Sequence, residues 1–102
     1  MRIRTYSWWR NVKEAVQKYP SRRGVGLQGV ALAEREAVAR AIEDTERMAD
    51  GADRLELIKL LHWDRTRTLD GAAGQIPCHR ATAARWQREF FEQVARNRGL
   101  LD

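Results

Sequence analysis

A chain of 102 residues, 43% hydrophobic and with four tryptophans, holds enough apolar surface for one modest core, which excludes a disordered tail. The 19 basic residues exceed the 14 acidic ones, and the net charge of +5 points to a polyanionic partner. The longest uncharged run, Gly24 to Ala33, is half of what a spanning helix needs, Met1-Arg2-Ile3-Arg4 opens no signal core, and the lone Cys78 forms no internal disulfide, so a soluble cytoplasmic protein without membrane contact is expected.

No alternating pattern of a strand occurs, and apolar residues recur at three- and four-residue spacing, so the expected fold is all-α, one small helical domain of about five helices. The first helix should start on Ser7 as N-cap, bury Trp9, Val12, Val16 and Tyr19, and end at Pro20. Trp8 and Trp9 lie about 100° apart on such a helix, so only one fits a narrow stripe and the other is expected at an outer surface or partly exposed. Residues 21–30 form a linker rich in glycine. The second helix, Ala31 to Ala49, turns Leu32, Ala39, Ile42 and Met48 inward and keeps Glu34, Glu36, Glu43 and Glu46 wet, with Asp50-Gly51 as its stop. A third helix, about Ala52 to Thr66, carries Leu55, Leu57, Ile58, Leu60 and Leu61, with a Glu56–Lys59 pair outside.

Charge divides along the same boundaries. Residues 1–23 carry seven basic groups and one acid, residues 34–56 carry eight acids and four arginines, and residues from 57 onward carry eight basic groups and five acids. The acidic middle segment should face away from phosphate.

From Thr68 to Arg98 the spacing is that of a helix-turn-helix. Thr68 can N-cap a short helix, Asp70 suits its positive first turn, and Ala72, Ala73 and Ile76 face inward, with Ala73 small enough for a tight helix crossing. Pro77-Cys78-His79 makes the turn, with Cys78 as a buried thiol, and a long helix follows from Arg80 to Arg98 with Gly99 as its stop. Ala83, Trp86, Phe90 and Val94 form its inward stripe. Its other side offers His79, Arg80, Ala81, Thr82, Arg85 and Arg88 to base edges, since the N-terminal part of a recognition helix enters the major groove. Arg65 and Arg67 stand before the short helix as candidate phosphate contacts, extended electrostatically by Arg2, Arg4, Arg22 and Arg23.

Two other chemistries are weaker. His62, Cys78 and His79 fall short of the four ligands of a structural zinc site, so no metal or other cofactor is expected. Glu43, Asp44 and Glu46 lie on an acidic helix with no nucleophile or phosphate loop beside them, so no catalytic residue is assigned and the chain is not expected to be an enzyme.

On these residues the segment from Arg54 to Leu101 resembles a sigma-70 region 4-type helix-turn-helix, and more narrowly the RinA/ArpU-type phage late transcriptional regulators. The resemblance rests on Asp53-Arg54-Leu55, on the run from Arg65 to Ala73, on Cys78, and on Thr82-Ala83-Ala84-Arg85-Trp86, and Tyr6-Ser7-Trp8-Trp9-Arg10 is similar to an opening found in small prophage proteins. It implies a regulator in a bacterial host cell that binds double-stranded DNA near a promoter, with host RNA polymerase or a second copy of the chain as further partner, and no catalysis. Pro77 stands where that pattern has glycine, His79 where it has serine, and Ala81 and Ala84 where polar residues are frequent. A DNA-packaging subunit of the small terminase type and a helical adaptor that binds only protein are the alternatives.

Overall fold

The computed structural model describes residues 8–21 and 26–101, which form five α-helices and no strand. The first, α1 (Trp9–Lys18), buries Val12, Ala15 and Val16 at the spacing of one helix face. The expected cap, Ser7, lies outside the described residues, and Trp8 occupies the N-cap position without a side-chain cap. The two tryptophans divide as expected: Trp8 is buried in the core, while Trp9 is only half-buried and packs at a tilt against Phe91, with ring centroids 4.7 Å apart. Helix α1 ends at Lys18, one residue short of the expected Tyr19, and passes into a 3-10 turn, Tyr19–Ser21, in which Pro20 has no N–H to continue the α-helical ladder. The expected linker is described only from Gly26 onward, where Gly26 and Gly29 both have positive φ.

Helix α2 (Gly29–Glu46) presents Ala37, Val38, Ala41 and Thr45 to the core, a mostly small set that lets α5 approach closely. Leu32, Ala39 and Ile42 are only half-buried, and Met48 is 46% exposed because the helix ends before it. Asp50-Gly51 is not the stop of α2 but the start of α3 (Gly51–Ile58), with Asp50 at its N-cap. Gly51 is required by crowding: a Cβ there would overlap the Thr45 carbonyl oxygen at the end of α2. Without a side chain at Gly51, residues 47–50 are enough to join the two helices.

Helix α3 does not reach Thr66 as one α-helix. It widens at Lys59–Trp63 into a π-turn, where Asp64 N donates to Lys59 O at 2.7 Å. Arg65, at φ 56°, takes the left-handed conformation that closes the segment, and Thr66 N donates to Leu60 O at 3.1 Å. Lys59 faces Asp64 at 3.9 Å rather than Glu56. The π-turn brings Trp63 to α1, where its Nε1 donates to Val16 O at 2.8 Å, a carbonyl of the last helical turn that also accepts from Tyr19 N.

Helices α4 (Leu69–Gln75) and α5 (Arg80–Asn97) follow the expected boundaries closely. Gly99, at φ 77°, ends α5 with two reinforcing bonds, Leu100 N to Ala95 O at 2.8 Å and Gly99 N to Arg96 O at 3.0 Å. The core has two parts. The larger joins Trp8, Val12, Val16, Val38, Ile58, Phe90, Phe91 and Val94 with their neighbours, and the smaller joins Leu57, Leu60, Ala72, Ala73, Ala83 and Trp86. Helix α5, about 27 Å long at 1.5 Å per residue, contributes its first half to the smaller part and its second half to the larger.

Candidate nucleic-acid interface

The α4–turn–α5 unit is built by local rules. Thr68 Oγ1 accepts from Gly71 N at 3.2 Å, which caps α4, and Asp70 lies in its first turn. Ala72, Ala73 and Ala83 are all buried, so the helices cross with methyl groups between them, and Ile76 fills the edge of the same cluster. Cys78 is half-buried rather than fully buried, because it lies at the rim of this small cluster.

The turn has an unusual centre. Cys78 N donates to Ala73 O at 3.0 Å, the longer of the two bonds of a left-handed helix stop, with Pro77 at the left-handed position at φ 25°. Glycine is the residue that fits there, and the second bond of such a stop needs an amide hydrogen that proline lacks. His79 then adopts an extended N-cap conformation before α5 but makes no side-chain cap, and it is exposed.

On α5, Ala81, Arg85 and Arg88 share one outward row at i, i+4 and i+7, and all three are exposed. Arg80 and Thr82 flank that row, Arg80 exposed and Thr82 half-buried. The arginines differ in their commitments. Arg80 Nε is 2.6 Å from Asp70 Oδ1, which ties the start of α5 to the start of α4, and Arg85 Nε is 3.8 Å from Glu89 Oε2. Arg88 has no ion pair among the described residues. Before α4, Arg67 is bound onto that helix and its own loop, with Nε donating to Gln75 Oε1 at 3.0 Å and a terminal nitrogen to Thr66 O at 2.9 Å. Arg65 is exposed beside it.

Two networks hold α5 from behind. Arg54 Nε donates to Asp50 Oδ1 at 2.8 Å and a terminal nitrogen to Glu89 Oε1 at 2.7 Å, while the guanidinium carbon lies 5.6 Å from the centre of the Trp86 ring. Burial works against the Arg54 charge, but the bonds to Asp50 and Glu89 outweigh it and hold the guanidinium above its ordinary range; the same bond from Arg54 keeps the Asp50 carboxyl below its own. Glu89 thus serves both Arg54 and Arg85. On the other side, buried His62 Nε2 donates to Gln87 Oε1 at 2.7 Å, and its ring lies 5.0 Å from Phe91. Burial pushes the His62 pKa below the ordinary histidine value, the Gln87 bond opposes this, and the nearby charges of Lys13 and Arg65 add to it.

The sequence pattern located the exposed row and its alanine crossing, but not the partners Asp70, Glu89, Arg54, His62 and Gln87. The Asp50–Arg54 and Arg85–Glu89 pairs have the i,i+4 spacing that signals a helical ion pair, so those two were detectable. The Arg54–Glu89 and His62–Gln87 bonds cross between helices 35 and 25 residues apart and leave no local signal. Among known protein families, curated proteins and solved structures, none matches this chain.

Proposed function

We propose that the chain is a sequence-specific DNA-binding transcriptional regulator that inserts the first half of α5 into the major groove. The observation that carries the reading is the exposed outward face of α5, with Ala81 and Arg85 at its centre for base contact and Arg88 at its flank, on a helix crossed by α4 through alanines and braced from behind by Arg54 and His62. An α-helix fits the major groove, and arginine can pair bidentately with guanine at about 1–3 kcal/mol of discrimination. Arg80 and Thr82 extend the row, and exposed His79, Arg65 and Arg67 stand at the ends of α5 and α4 where phosphates flank the groove. The phage-type promoter role, with host RNA polymerase as partner, rests on the sequence resemblance alone.

The test is selection of bound duplexes from random DNA by the purified chain, with and without RNA polymerase. A consensus should emerge, and Arg85→Ala should then lose about tenfold or more in affinity for the selected duplex while changing little on unrelated DNA. Equal loss on both would reduce Arg85 to a phosphate contact. Failure to enrich any sequence in either condition would refute sequence-specific recognition.

A further inference from the structure

Beyond α5, a second cationic element borders the same face. The first turn of α1 and the middle of α5 enclose an open groove of about 570 Å³ lined by Trp9, Arg10, Ala84, Gln87 and Arg88. Tilted packing of half-buried Trp9 against buried Phe91 fixes the start of α1 against α5, so Arg10, the next residue, is carried to the groove by that contact. Ala84 offers only a methyl group between them, which leaves the space open.

Arg80, Arg85, Arg54 and Arg47 each have a carboxylate partner, whereas Arg10 and Arg88, like the exposed Lys13, Lys18, Arg40 and Arg65, have none among the described residues, and what sets Arg10 and Arg88 apart is that they line one groove together. Two unneutralised guanidinium groups on one concave surface repel each other and attract an anion. On the helical wheel Ala84 and Arg88 lie about 60–100° round from Arg85, on the flank facing α1. When a helix lies along the major groove, such a flank faces the groove wall, which is the phosphate backbone.

Resting on the DNA-binding reading above, we infer that Arg10 and Arg88 form a phosphate clamp, through which α1 grips the DNA backbone on one side of the recognition helix. The clamp recognises phosphate and not sequence, so it adds affinity to every duplex equally. Each phosphate contact neutralised by a cation contributes about 0.9 to the slope of log affinity against log salt.

The experiment titrates fluorescent duplexes, one selected by the wild-type chain and one scrambled, between 50 and 300 mM KCl. Arg10→Gln should lower the salt slope by about 1 on both duplexes, Arg10→Gln with Arg88→Gln by about 2, and Arg10→Lys should restore most of the single loss. Arg47→Gln, at an exposed cation already paired with Asp44, should leave the slope unchanged. Circular dichroism of each variant should match wild type, because both clamp side chains are exposed. A wild-type slope in Arg10→Gln, with wild-type binding intact, overturns the clamp alone. Loss confined to the selected duplex also overturns it, by making Arg10 a base contact, and so does weakened binding of a polyglutamate peptide with an unchanged DNA slope. A wild-type chain that binds neither duplex overturns the functional reading together with the clamp.

Discussion

Pro77→Gly is expected to stabilise the protein, although it removes a proline from a turn. Pro77 occupies the left-handed position of the α4 stop at φ 25°, about 90° from the value its ring prefers. A non-glycine residue held in that region costs about 1–3 kcal/mol. Glycine also supplies the missing amide hydrogen beside the Cys78 N to Ala73 O bond, worth about 0.5 kcal/mol at this exposed site, the low end of the usual range. Opposing these gains, glycine frees the unfolded chain and forgoes proline's restriction, together about 1–2 kcal/mol. The balance is a gain of about 1 kcal/mol, which for a domain of this size raises Tm by roughly 4–8 °C. Urea and thermal unfolding measure it, with Pro77→Ala as comparison. Alanine restores the amide and removes the ring but keeps the left-handed penalty of a Cβ, so it should fall below Pro77→Gly. A Pro77→Gly midpoint equal to or below wild type at unchanged m-value would refute the strain argument.

Three further outcomes follow from the braces of α5 and the α2–α3 junction. Because His62 has a lowered folded pKa, the unfolded state binds more protons below about pH 6.5, so wild-type stability should be full above that pH and decline as pH falls; His62→Gln should flatten this decline in urea midpoints at pH 5, 6 and 7.5, and parallel curves would contradict it. Arg54→Met keeps the stem over Trp86 but loses both charged bonds, and with Asp50 and Glu89 each about two-fifths exposed the loss should be about 1–2 kcal/mol, with a double-mutant cycle against Glu89→Gln giving non-additivity. Gly51→Ala should cost about 2 kcal/mol or more by driving its methyl into the Thr45 carbonyl, and an unfolding midpoint within experimental scatter of wild type would contradict that close approach.

How much of this was legible in sequence depended on the range of the interaction involved. Thr68, the alanine crossing and Gly99 act through neighbours within a helical turn, and their pattern located α4 and α5 to within a residue. Met48 and Asp50-Gly51 misled because the same turn residues serve as stop or start, and only the contact between Gly51 and Thr45 decides which. The π-turn was invisible to a 3.6-residue template, since its extra residue shifts the face that follows, carrying His62 inside and Trp63 to α1. The tryptophan pair was legible because Trp8 keeps right-handed helical dihedrals at the N-cap, so the two side chains diverge as neighbours on a helix do, one buried and one half-buried. Candidate base contacts were readable as an exposed row, whereas the pairing of Arg80 with Asp70 required the crossing of α4 and α5 in three dimensions.

Helix α5 belongs to both parts of the core, and this limits how the chain can be dissected. A fragment beginning at residue 52 would retain the helix-turn-helix but bare Phe90, Phe91, Val94 and Ala95, whose partners on α1 and α2 would be gone. Loss of either cluster would strip packing from one half of the same helix, which couples the two. Thermal unfolding is therefore expected as one transition, and a cavity made at Val38 or Val12 should loosen the packing of α5 as a whole.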